Sequence, residues 1–121
     1  MNQYVTLDSQ GNKRFVTSRS SNQFIRTPQN FLDLLAWGGE KETNLFVLKD
    51  MNFVAEFYDL KTGLAGEILQ KLSNYGARLA IVGTFDMVMG ERFRELMSES
   101  NTGSQVRFAR NREEAISWLM K

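Results

Sequence analysis

The clearest hydrophobic rhythm in the chain runs from Thr62 to Tyr75. Leu64, Ala65, Ile68, Leu69, Leu72 and Tyr75 fall on one side of a helix, and Glu67, Gln70, Lys71, Ser73 and Asn74 on the other. Gly76 ends it, and Arg78–Gly83 (RLAIVG) follows as a strand. Upstream, Asn44–Lys49 (NLFVLK) is short and apolar at its middle, as a buried strand is. Strand, helix and strand between Leu45 and Val82 make a βαβ unit, which implies parallel strands and a right-handed crossover. Phe53–Leu60 fits a short helical turn or an irregular packing segment ahead of the central helix.

The ends of the chain carry weaker patterns. Gln3–Leu7 alternates in strand fashion, Asp8–Asn12 (DSQGN) is a turn cluster, and Arg14–Thr17 is a returning strand of a hairpin. Ser18–Gln23 is a polar loop. Thr27-Pro28 starts a helix through a hydroxyl cap and a proline at the first position, with Phe31, Leu34 and Leu35 inward and Gly38-Gly39 as its stop. Gly90–Asn101 is a further helix with Phe93, Leu96 and Met97 inward, and Gln105–Ala109 a final strand. Asn111 with Glu114 reads as a capping box before a last helix faced by Ala115, Ile116 and Leu119. The expected architecture is α/β: one domain over residues 1–121, an N-terminal β-hairpin followed by alternating helices and strands, with a mixed central sheet and helices packed on it.

Composition changes this picture mainly by exclusion. The 121 residues include no Cys and no His, which removes zinc fingers, thiol nucleophiles, disulfide scaffolds, Ser-His-Asp triads and histidine phosphocarriers. No metal or cofactor is expected. Fifteen Lys and Arg balance fourteen Asp and Glu, so nothing draws the chain to nucleic acid or membrane. The start Met1-Asn2-Gln3-Tyr4 lacks a signal-peptide pattern, and no run nears the roughly 20 apolar residues of a membrane span. The expectation is a cytoplasmic protein.

Candidate chemistry gathers where the central helix begins. Asp59, Lys61, Thr62, Gly63, Gly66 and Glu67 stand at or near a helix start, whose N–H groups and dipole favour an anion. The order is not that of a P-loop, because Lys61-Thr62 precede the glycines. The competing reading is structural: Asp59 or Thr62 caps the helix, and Gly63 and Gly66 let it pack closely on the sheet. Glu67 and Lys71 form an i,i+4 pair in the favourable order, on a face that is either solvated or open to a partner. Asp86 and Glu91 are two carboxylates whose separation nothing in the sequence fixes, which gives no basis for acid–base catalysis. Phe85, Met87, Val88 and Met89 form an apolar loop that either contacts a partner or folds back as core. Arg107, Arg110 and Arg112 precede Glu113 and Glu114, a mixed-sign cluster suited to solubility. An enzyme would need Asp, Glu, Lys or Tyr, and no convergent set is legible.

The stretch Phe57–Tyr75 (FYDLKTGLAGEILQKLSNY) closely resembles a bacterial family, the domain of unknown function numbered forty-one-eighty, whose motif reads FFDLRTGLAGEILQKFxNY. The likeness continues through Arg78–Gly83 and Glu99-Ser100-Asn101-x-Gly103 and spans roughly Phe31 to Leu119. Lys61 stands where that pattern has Arg, Leu72 where it has Phe, and Thr84 where Asp often follows the strand glycine. The element order also looks like the STAS, or SpoIIAA-like, domain: a small sheet with helices on one side, used as a protein-interaction module. Asp59-Leu60-Lys61-Thr62-Gly63-Leu64 lies where phosphorylated members of that fold carry Asp-Ser-Ser/Thr-Gly-Leu. Lys61 takes the place of the phosphorylated Ser, so the resemblance leaves Thr62 as the hydroxyl for any modification. It implies a non-enzymatic regulatory or protein-interaction module, able to form a homodimer, with an unidentified protein partner. Asp59, Lys61, Thr62, Gly63, Gly66, Glu67, Lys71 and Tyr75 are its candidate contact residues. The alternative is a small-ligand, nucleotide or anion site at the 59–67 helix start.

Overall fold

The computed structural model describes residues 1–85 and 90–121. Asp86, Met87, Val88 and Met89, raised above as a carboxylate and as an apolar loop, lie outside the described residues. Among the described residues five strands form one mixed sheet in chain order. β1 (Val5–Gln10) and β2 (Lys13–Ser18) are an antiparallel hairpin, and β3 (Leu45–Lys49), β4 (Arg78–Val82) and β5 (Val106–Ala109) continue from β2 in parallel. The hairpin loop is tighter than the five-residue turn cluster suggests. Gln10 pairs with Lys13, so only Gly11 and Asn12 turn the chain, and Gly11 supplies the positive φ of 61° that such a turn requires.

Parallel neighbours need crossovers, and three helices supply them: α1 (Pro28–Glu40), α2 (Leu64–Asn74) and α3 (Glu91–Ser100). Each connection steps to the next strand in the same direction, so right-handed crossovers put all three on one broad face. Phe46, Leu48, Leu79, Ile81 and Phe108 there pack with Phe31 and Leu34 of α1, Ile68 and Leu72 of α2, and Phe93 of α3. Alternate strand positions point the other way. Phe15, Leu45, Val47, Ala80 and Ala109 meet Ala115 and Leu119 of α4 (Arg112–Leu119) on a narrow second face. α4 thus departs from the one-sided layer that the STAS resemblance implies. Among the described residues α4 joins no two parallel strands, so the crossover rule does not bind it.

Local signals explain the element ends, with some corrections. Thr27 caps α1 as expected, and Asn30 completes the box by accepting the Thr27 N–H at 3.2 Å. Gly38-Gly39 does not stop α1, which runs to Glu40. Gly38 is there for the sheet: a Cβ on it would lie 2.5 Å from the Phe46 ring. The 53–60 segment resolves into short 3-10 turns, at Asp50–Asn52, Ala55–Tyr58 and Leu60–Thr62. Buried Asn52 ties them to the loop before α1. Its amide oxygen accepts from Lys49 N–H, and its amide nitrogen donates to the carbonyls of Ser20 and Asn22. Tyr75 leaves the apolar face of α2 and is 57% exposed, because it is the residue after the last helical turn. At the far end, Arg78 stacks on Trp118 at 4.3 Å and donates to the last carbonyls of α4, where a cation suits the helix dipole.

Candidate functional site

The turn before α2 is built by its own hydrogen bonds. Asp59 accepts from Lys61 N–H at 3.1 Å and so caps the last 3-10 turn, not α2. The Thr62 hydroxyl lies 2.7 Å from the Glu56 carbonyl and 2.8 Å from that of Asp59, and accepts from Leu64 N–H at 3.2 Å. Gly63 then reverses the backbone at φ 77°, a left-handed conformation that glycine adopts without strain. The close-packing reading of the glycines does not hold. Gly63 and Gly66 are exposed, and a Cβ on either would meet nothing within 4 Å.

Behind the turn stands an aromatic cluster. Phe57 packs on Phe53 in a tilted pair, ring centres 4.4 Å apart, and meets Tyr58 and Phe93 edge-on. Tyr58 donates to the Asp50 carbonyl at 2.6 Å, which joins the second 3-10 turn to the first. Burial, reinforced by the Asp50 carboxylate, pushes the Tyr58 hydroxyl well above its ordinary range. It stays a neutral donor.

The site residues read from the sequence do not all converge. Asp59 and Lys61 line a cleft of about 340 Å³ with Tyr58, Leu60 and the start of α3, from Gly90 to Phe93. Thr62 and Gly63 stand beside it, and Gly66 and Glu67 lie exposed on the first turns of α2. Lys71 is two turns along, and Tyr75 stands about 18 Å from Gly63 by helical rise, at the other end. Among the described residues the Glu67–Lys71 ion pair does not form, and Gln70 instead donates to Asn74. No described cleft joins Asp59, Lys61, Glu67 and Tyr75, the arrangement an enzyme reading would have needed. Glu91, read in the sequence only as a carboxylate beside Asp86, stands instead on the rim of this cleft; Arg92 escaped sequence reasoning, because it sits some thirty residues from Lys61 and no periodicity links the two.

A second polar group lies where the parallel strands end: Lys49 closing β3 with Asp50 after it, Gly83-Thr84 after β4 and Arg110 after β5. The sequence held a signal for it, since ligands of open α/β sheets sit at the carboxyl ends of strands. The arginine cluster divides here. Arg107 pairs with Glu114 at 3.4 Å, and Arg112 holds Asp8 and the Thr17 hydroxyl at 2.7 Å each. Among the described residues Arg110 makes no ion pair. Phe85 folds back, edge-on to Phe108. No three acidic side chains gather as metal ligands, and no helix is long and apolar enough to cross a membrane, among the described residues.

Residues 10–119 match the family described as Domain of unknown function (DUF4180). The chain belongs to this family. The match begins at the last residue of β1 and ends at the last residue of α4, so both clefts of the DUF4180 chain lie inside it. Comparison with curated proteins and with solved structures gives no match.

Proposed function

We propose that this DUF4180 chain is a non-enzymatic, STAS-like regulatory module of the cytoplasm that works by binding a protein partner and can pair with itself. One observation carries the reading. The cleft beside the α2 turn has a floor of Tyr58, Leu60 and Phe93 and a rim of Asp59, Lys61, Glu91 and Arg92. A shallow apolar floor ringed by charges of both signs suits the side chains of a protein surface, with the rim setting orientation. The STAS-like part draws support from the hairpin, the parallel strands with three helices on one face, and Thr62-Gly63-Leu64 opening the helix after a core strand. The anion alternative draws less, because the Asp59 carboxylate and Thr62 hydroxyl are used within the turn. A phosphate on Thr62 would remove the hydrogen that hydroxyl shares with two carbonyls and unlatch the turn, which offers a regulated rim.

Affinity capture from cells tests this. A partner protein should co-purify with the wild type and be lost from the exposed charge reversals Lys61→Glu and Arg92→Glu, with melting temperatures unchanged. Capture of the chain alone, or equal capture by the variants, overturns it.

A further inference from the structure

The connections leaving β4 and β5 part company. The chain exits β4 toward α3 on the broad face and exits β5 toward α4 on the narrow one. Adjacent parallel strands whose connections diverge in this way open a crevice at their carboxyl ends, the place where open α/β sheets take ligands. A cleft of about 510 Å³ lies there, a size that suits a small molecule.

Its walls have distinct chemistry. Gly83 and Thr84 come from the end of β4, and Arg110 from the end of β5. Gly83 N–H still donates to the Ala109 carbonyl at 3.0 Å, so the strands stay paired up to the mouth. Phe85 and Phe108 form an apolar side, edge to face at 5.4 Å. Asn101 braces the far wall. Its amide accepts from Phe108 N–H at 2.8 Å and donates to the Phe108 carbonyl at 3.3 Å, which leaves it committed to the edge strand. Lys49 and Asp50 line a neighbouring cleft that shares Gly83, Thr84 and Arg110 with this one, and the Asp50 carboxylate lies against Gly83.

The geometry points to a binding site for a small anion with a flat apolar body. Arg110 offers a planar fork that matches a carboxylate or phosphate, and the Thr84 hydroxyl adds a donor. The Phe85–Phe108 pair takes the apolar body. This site is separate from the α2 cleft, and either can fail without the other.

Titration of isotope-labelled protein with benzoate, adenosine monophosphate and inorganic phosphate, followed by amide chemical shifts, tests it. Gly83 and Thr84 amides should move with benzoate or the nucleotide at lower concentration than with inorganic phosphate. The tighter of the two tells a carboxylate source from a nucleotide source. Arg110→Gln, at an exposed position, should weaken binding about tenfold, the worth of one charge-assisted contact, while Lys61→Glu leaves it unchanged. Still Gly83 and Thr84 amides at millimolar benzoate and nucleotide overturn the site. So does equal affinity in Arg110→Gln, or inorganic phosphate binding as tightly as both.

Discussion

The turn before α2 and the crevice beyond β4 and β5 hold similar side chains and put them to opposite use. Each has a hydroxyl, a cation and a glycine: Thr62, Lys61 and Gly63 in one, Thr84, Arg110 and Gly83 in the other. In the turn the backbone consumes the polar atoms, because short 3-10 turns leave N–H and C=O groups that something nearby must satisfy. Asp59 and Thr62 do so. At the crevice the ladder itself satisfies the backbone, as the Gly83–Ala109 bond shows, and the side chains at the strand ends face outward. A polar stretch in a sequence is therefore a weak guide to a site until the backbone's own demand is subtracted.

The two regions share one support, and removing it should break both. Phe93 is 1% exposed and lies between them, 5.2 Å from the Tyr58 ring and 5.8 Å from that of Phe108. Phe93→Ala should lower unfolding free energy by about 3–5 kcal/mol in urea titration, the usual result of emptying a buried aromatic site. Phe93→Leu should recover a good part of it. A loss below about 1 kcal/mol would mean that the turn and the crevice are held independently.

Much of the fold was legible because its signals are local. The 3.6-residue rhythm of α2, the Thr27-Pro28 start and the apolar middles of β3 and β4 each report a neighbour a few positions away. What escaped depends on distant pairs. Nothing in the sequence says that Phe46 sits against Gly38, so two adjacent glycines read as a stop. Asn101 read as the close of α3, yet its amide binds Phe108 seven residues on. The same limit applies to the site. Asp59 and Lys61 stood out at a helix start, but the cleft they line is completed from α3. Arg110 looked like one of three equivalent arginines until the partners of the other two were in place.

Asn101→Ala sharpens the comparison by touching the crevice alone. Two hydrogen bonds to the Phe108 backbone disappear at an edge strand, and about 1–2 kcal/mol of stability should go with them. Hydrogen exchange locates the loss: the Phe108 amide should exchange faster while that of Leu64, in the turn, keeps its protection. Equal acceleration at both would show that the brace serves the whole molecule.

Tyr58→Phe makes the finest cut, at the joint that ties the turn to the Asp50 segment. At neutral pH the variant loses one buried hydrogen bond, 2.6 Å to the Asp50 carbonyl, for about 1 kcal/mol. Burial and the Asp50 charge hold the folded hydroxyl neutral well beyond pH 10.0, the ordinary value at which the unfolded side chain gives up its proton. The stability that Tyr58 contributes is therefore fully present below about pH 10 and falls as pH rises past it, because the unfolded chain then releases a proton that the folded chain retains. Wild-type stability minus that of Tyr58→Phe should be flat up to that pH and shrink above it, measured by urea unfolding across the alkaline range. Subtraction removes the titration of Tyr4, Tyr75 and the lysines, which both proteins share. A difference that stays flat through the alkaline range would mean that Tyr58 ionises as easily folded as unfolded, and that the joint is open to water.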